Sequence, residues 1–439
     1  MNHKLYQDAV QIAKKAVESV MPDAAVKKAV SNISFSGRLI LVAVGKAAWQ
    51  MAQAALQSIP YPVSGGIMIT KYGHVPSKLP GIRCYEAGHP LPDENSFRAT
   101  EAVLRMTENL TSEDTVLFLL SGGGSALFEK PLIPGGELLA VTDYMLKAGM
   151  DIREMNTVRK RLSLVKGGKF AAHCAPARIE SVILSDIIGN ALDMIASGPS
   201  AADSTSCEDA VAICQKYRIP LSEEARAAIL QETPKELSHV TNRITGSVRQ
   251  FCLAAAKAAE ELGYAPVLLG DDFTCEAKDL GKFLAEKLLA EALQTENPQR
   301  EPHPDNPQAD SRQTDHLPFR QGRKIAYIAG GETVVHVSGT GLGGRNQELA
   351  LTAGKYLSGQ KNVAVLSIGS DGTDGPTDAA GGYADGDTLS SIAEHGLDID
   401  ALLADNDAYH GLEASGGLIF TGPTGTNVND VALALFNDT

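Results

Sequence analysis

Two α/β domains are predicted by three observations. The chain has 439 residues, more than one core of usual size accommodates. Glycine is plentiful, at 42 residues, while aromatic residues make up only 5%. That balance suits α/β layers joined by many loops better than an all-β sandwich. Short apolar runs that read as buried strands alternate with segments of helical spacing, with small-residue loops between them.

The formal net charge of −14 and the absence of a long Lys/Arg run speak against a nucleic-acid partner. A small anionic ligand is still compatible with it, because a few basic groups in one cleft reverse the local potential. No stretch approaches 18 uncharged apolar residues, so no membrane span is expected. The first 20 residues carry charges throughout, unlike a signal peptide. Six cysteines, none in a C-x-x-C pair, are read as free thiols of a cytoplasmic protein.

In chain order, residues 3–30 have the spacing of one or two amphipathic helices, with Pro22 as the break. Arg38 to Val44 is a buried strand, and Gly45-Lys46 turns sharply into a helix that runs to Leu56. Lys46 therefore stands at the carboxyl end of a strand, the edge where open α/β sheets bind ligands. Residues 63–69 form a second strand. Lys71 to Pro92 reads as irregular, with His74 and His89 as isolated histidines lacking metal-ligand spacing. A helix at 96–110 leads to the strand Thr115–Leu120 and the loop Ser121, Gly122, Gly123, Gly124, Ser125, whose backbone is suited to wrap an anion.

Asn156 to Lys169 carries five basic residues, and reads equally as a solvated face or as part of an anion cleft. Ser181–Ser185 is a strand ending at Asp186, which would hold Mg²⁺, act as a base or cap the next turn. The polar stretch 233–242 is the expected domain junction. Helices are expected at 246–262 and from Cys275 to Leu293, and residues 294–322 as a mobile polar excursion.

The second half centres on 333–357. Thr333 to Ser338 alternates like a strand, Gly339, Gly341, Gly343 and Gly344 form a loop, and Leu349, Ala353 and Leu357 fall on one helix face. A helix N-terminus after such a loop favours a phosphate or carboxylate, with Arg345 at its mouth. Lys324–Ala329 and the 333–338 strand, joined by so short a loop, must be antiparallel, so the second sheet is mixed. After the strand 363–368, Asp371, Asp374 and Asp378 crowd one turn-rich loop with oxygen ligands suited to Mg²⁺. A strand at 416–420, the small-residue loop 421–427 with Thr424 and Asn427, and a closing helix complete the chain. There is no G-x-x-x-x-G-K-[ST]: the first glycine of that pattern would fall on Ile40.

These loops, taken together, resemble one family. Val44-Gly-Lys-Ala-Ala48, Ser121-Gly-Gly-Gly-Ser-Ala-Leu127, Arg159-Lys160 with Lys166-Gly-Gly168, Ser185-Asp186 with Ala196-Ser-Gly-Pro199, Gly330-Gly-Glu332, Gly341-Leu-Gly-Gly-Arg-Asn-Gln-Glu348, Asp371 to Gly381 and Thr421 to Asn427 are similar to the glycerate 2-kinases whose C-terminal part is the MOFRL domain. The resemblance implies phosphorylation of D-glycerate by ATP with Mg²⁺ to 2-phosphoglycerate, with Lys46 and Arg345 as catalytic residues. It implies a Rossmann-like, mostly parallel domain at 1–235 and a second α/β domain at 243–439. The MOFRL region would span about 323–435, and the active site would lie in the interdomain cleft.

Ser121 to Ser125, the 341–344 glycines, Thr424 and Asn427 would line the nucleotide or substrate site. Asp186, or one of Asp371, Asp374 and Asp378, would hold Mg²⁺ or take the hydroxyl proton, with Asp186, Asp371 and Asp374 as the metal candidates. The expected partner is a small molecule, with no nucleic acid or membrane; a homodimer is allowed. The rival reading is a nicotinamide-dependent hydroxypyruvate reductase using Gly339–Gly344 as its dinucleotide loop. A non-catalytic sensor of sugar acids or nucleotides is a third.

Overall fold

The computed structural model describes residues 1–185, 191–296 and 322–439. Two compact units appear, each built on a six-stranded sheet.

The parallel-sheet unit comprises residues 19–247 and 425–428. Its strands are β1 (Leu39–Val44), β2 (Val63–Lys71), β3 (Ile82–Ala87), β4 (Thr115–Leu120), β5 (Arg178–Leu184) and β6 (Val240–Gly246). They lie in the order β3-β2-β1-β4-β5-β6, all parallel. The chain winds outward from β1 in one direction, then restarts at β4 and winds outward in the other. The carboxyl ends of β1 and β4 therefore flank the crevice where ligands bind in such sheets.

Helices cover both faces, and the strands alternate cleanly between them. Ile40, Val42, Val44, Phe118 and Leu120 enter one core, and Leu41, Ala43, Leu117 and Leu119 enter the other. Such two-sided burial explains why these strands read as unbroken apolar runs.

The basic stretch 156–169 turns inward. Lys160 and Arg161, near the end of the helix Ile152–Leu162, are buried against Asp203. Asp203 also accepts from the Thr205 N–H and hydroxyl and from Thr233; burial pushes its carboxyl up, but the Thr205 N–H, Lys160 and the Thr233 hydroxyl outweigh it and bring it to about 2. A folded value below the ordinary 3.8 means that the carboxylate adds stability above that value, lost as the pH falls from about 4 to 2. Asp203→Asn is expected to cost about 2 kcal/mol at pH 7 in urea unfolding. That deficit should vanish near pH 2.

The mixed-sheet unit comprises residues 1–18, 248–424 and 429–439. Its strands are β7 (Ala265–Phe273), β8 (Lys324–Gly331), β9 (Val363–Gly369), β10 (Gly381–Asp385), β11 (Leu418–Ile419) and β12 (Asp430–Asn437), in the order β11-β10-β9-β12-β8-β7. Only β7 and β8 pair in parallel. The predicted helix face is realised: Leu349, Ala353 and Leu357 pack with Val363, Val365, Ala432 and Phe436.

Several expectations change. The mixed sheet arises from β12, not from a strand at 333–338. That segment makes one isolated bridge, Glu276 to Val334, and leaves Val334 and Val337 exposed. Both edges of β8 are already taken by β7 and β12, so no slot remains for it. The expected closing helix is strand β12, buried along its whole length. The expected junction at 233–242 runs into β6, which belongs to the first sheet. The N-terminal helix His3–Ser19, assigned by the sequence to the first domain, packs largely with the mixed-sheet unit through Asp8 to Tyr264 (2.9 Å). The polar excursion lies outside the described residues from 297 to 321.

Candidate active site

The tightest constraint in the parallel-sheet unit is at Gly45. Its φ is +121°, and a Cβ there would sit 2.2 Å from Ser121 Oγ and 2.5 Å from the Ser121 carbonyl oxygen. Only glycine lets the end of β1 lie against the end of β4. Next to it the Lys46 N–H donates to the Gly122 carbonyl (2.8 Å) and the Ala47 N–H to Ser121 Oγ (3.1 Å). Lys46 is thus clamped to the glycine loop, its side chain partly exposed.

At Gly123, φ is +86°, and a Cβ would meet His89 Cδ2 and Nε2 at 3.0 and 3.1 Å and Lys46 Cγ at 3.4 Å. His89 follows β3 by one glycine. Burial first, then the ammonium groups of Lys46 and Lys71, pushes its imidazole down to about 4. Sequence reading missed β3 and so left His89 as an isolated histidine in an irregular stretch. The missing signal was its place at a strand's carboxyl end.

On the other side of the loop, Arg159 and Lys166 both donate to the Ser125 carbonyl, at 3.2 and 2.8 Å. Lys166 is buried against Glu129 (3.1 Å), and burial drives its ammonium down to about 8. Ser125 Oγ meets Ser197 Oγ (3.3 Å), which donates to Asn156 (2.9 Å). The basic stretch is therefore not a solvated face. Among the described residues, the N–H groups of Gly122, Gly123, Gly124 and Ser125 have no hydrogen-bond partner. Free amides beside a lysine form a seat for an anion.

The glycine loop of the mixed-sheet unit is the opposite case. Ser338 and Gly339 donate to Asn406 Oδ1, Thr340 to Asp405 Oδ1, Gly341 to the Asp405 carbonyl and Leu342 to Asp407 Oδ1. A Cβ at Gly339 would lie 2.2 Å from the Asp405 carbonyl oxygen, and one at Gly341 2.4 Å from Asp407 Cβ. These glycines serve close backbone packing. A Cβ at Gly344 would lie 2.3 Å from Asp374 Cγ, and Gly343 is close to Asn406 and Ala408.

The helix Arg345–Tyr356 is also capped from within: Asp374 accepts from the N–H groups of Asn346 (3.1 Å) and Gln347 (2.9 Å) and from the Asn346 amide. The expected anion seat is filled by the protein's own carboxylate, which burial keeps above its ordinary pKa. Arg345 is likewise committed. It grips Asp430 with Nε (2.5 Å) and Nη2 (3.0 Å), and reaches Glu332 with Nη1 (3.2 Å).

These facts decide the metal candidates. Asp374 spends both oxygens on the helix. Asp371 Oδ1 accepts from the Thr373 N–H and hydroxyl, a local turn, and Asp378 is exposed and accepts from Tyr409. The three do not gather as a ligand set. Among the described residues the one gathering of three potential ligand residues is Cys207, Glu208 and Glu232, and Glu232 is already paired with Lys235 at 2.7 Å. Asp186 lies outside the described residues. Among the described residues, the candidate aspartates do not fit a resident Mg²⁺. Thr424 caps the same turn, its hydroxyl on the Ser370 carbonyl (2.6 Å), while Asn427 belongs to the parallel-sheet unit and is partly exposed.

Comparison with known proteins places this geometry. Residues 8–230 match a domain of unknown function, DUF4147, and residues 325–430 match the MOFRL family. The chain is 46% identical to a D-glycerate 2-kinase of Thermotoga maritima, over 97% of each chain. It is 37% identical to a glycerate 2-kinase of Pyrococcus horikoshii, over 92% of this chain and 88% of that one. It is 36% identical to a putative hydroxypyruvate reductase of Agrobacterium vitis, over 91% and 87%. The crystal structure of a Thermotoga maritima glycerate kinase superimposes with a TM-score of 0.89 over 99% of both chains, at 45% identity. By sequence and by fold, the chain belongs to the glycerate 2-kinase family with a C-terminal MOFRL region.

Proposed function

We propose that the chain moves the terminal phosphoryl group of ATP, presented as its Mg²⁺ complex, onto the 2-hydroxyl of D-glycerate. The observation that carries this reading is the contrast between the two glycine loops. The 122–125 amides are open beside Lys46, at the switch point of a parallel sheet, whereas the 338–342 amides are all consumed. Phosphoryl transfer asks little covalent chemistry of a protein. It asks for positioning and for positive charge where the transferring group passes.

Lys46 and the open amides supply both, and Arg159 adds a guanidinium on the far side of the loop. Their anionic partners are the glycerate carboxylate and the phosphate groups. The metal enters with the nucleotide, and no step is assigned to it. Arg345 is the second proposed cation, and acts only by loosening its hold on Asp430 or Glu332.

The reductase reading requires a dinucleotide loop that follows a strand, but no strand forms at 333–338, and the 338–342 amides are taken up by Asp405, Asn406 and Asp407. Incubation with D-glycerate and MgATP, followed by phosphorus NMR, tests the proposal. The expected product is 2-phosphoglycerate. A 3-phosphoglycerate signal would move the acceptor, ligand binding without turnover would favour a sensor, and NADH oxidation by hydroxypyruvate would restore the rival.

A further inference from the structure

We infer that His89 accepts the proton of the attacking hydroxyl. The inference rests on the kinase reading above and fills a role which that reading leaves open. The hydroxyl oxygen forms a bond to the γ-phosphorus. The bond from that phosphorus to the β–γ bridging oxygen breaks, its electron pair leaving with the nucleoside diphosphate. The hydroxyl proton passes to His89 Nε2.

Position is the first argument. A Cβ on Gly123 would meet both the His89 imidazole (3.0 and 3.1 Å) and Lys46 Cγ (3.4 Å), so both side chains lie against the loop that would seat the anion. Availability is the second. Among the described residues His89 has no hydrogen-bond partner. The other nearby imidazole, His74, is tied to the Lys46 main chain. The described aspartates once open for this role, Asp371, Asp374 and Asp378, all accept hydrogen bonds elsewhere.

Electrostatics is the third argument. The charged groups bearing on His89 are Lys46 and Lys71. Glu86 is committed to the N–H groups of His74 and Val75, and Asp93 caps the next helix through Ser96. With its imidazole held near 4, His89 is neutral and able to accept a proton throughout the physiological range. Anionic substrates offset the two ammonium groups, so proton affinity rises when both are bound, as a general base requires.

The test compares the full-length wild type with His89→Asn and with His74→Asn as a neighbouring control. Wild-type kcat should fall on the acid side with unit slope. His89→Asn should lower kcat by about 10²-fold, erase that limb and leave both KM values within about threefold. A kcat loss under about tenfold, or an unchanged acid limb, overturns the inference while leaving the kinase reading intact.

Should the variant not fold, ¹⁵N histidine NMR of the wild type decides. The His89 titration should move upward when glycerate and a non-hydrolysable ATP analogue are both bound, and an unmoved titration overturns the inference. If the unaltered chain does not phosphorylate glycerate at all, the kinase reading falls and this inference with it.

Discussion

Lys46→Ala is expected to lower kcat/KM for glycerate phosphorylation by about 10³-fold, the scale of removing one fixed positive charge from a phosphoryl-transfer site. The loss should fall mainly on kcat if the ammonium meets charge that develops in transfer. A rise in KM alone would mean that it only holds the substrate carboxylate. Folding should be unaffected, because the structural work at this turn is done by the backbone. The Lys46 N–H and the Gly45 turn survive the truncation. Matching thermal melts with lost turnover would bear this out, and turnover within a few-fold of wild type would take Lys46 out of the mechanism.

Arg345→Met should act on stability first. Asp430 is buried, and burial lifts its carboxyl to about 6 even with the guanidinium attached. Without Arg345 the carboxylate is left uncompensated, and the expected cost is about 3–5 kcal/mol in urea unfolding. Acidification should shrink that deficit, starting above pH 6, because the missing cation lifts the carboxyl further and protonation removes the stranded charge. Arg345→Met with Asp430→Asn should recover most of the stability, since removing both charges is far cheaper than removing one. The stable double variant then isolates chemistry from folding. If it turns over at the wild-type rate, Arg345 has no part in transfer.

The parts of the fold that sequence revealed are those where burial and periodicity agree. β1 and β4 are apolar on both faces and stood out as strands. Leu349, Ala353 and Leu357 marked a helix face that the second core confirms. β12 misled because Val431 to Phe436 is apolar throughout, and a continuous apolar run carries no period by which to tell a strand from a helix. β3 was missed because it is an edge strand, with Arg83 exposed and Cys84, Tyr85 and Glu86 only partly buried.

The site was half legible for a related reason. A strand followed by Gly-Lys, or by Ser-Gly-Gly-Gly-Ser, announces a ligand-binding edge locally. Whether a loop's amides are free is a non-local fact. The 339–344 loop and the helix after it read as an anion seat, but Asp405, Asn406 and Asp407 take the 338–342 amides and Asp374 takes those of Asn346 and Gln347.

The interleaving of the two units has a consequence for how the protein is made. The helix His3–Ser19 leaves the ribosome more than two hundred residues ahead of the sheet that shelters most of it, and Gly425–Val428 joins a body whose strands were synthesised long before. During translation the growing polypeptide must therefore carry an unsheltered apolar helix face until the second sheet emerges, and a first unit that stays unfinished from residue 247 to residue 425, the circumstance in which nascent chains most need chaperones.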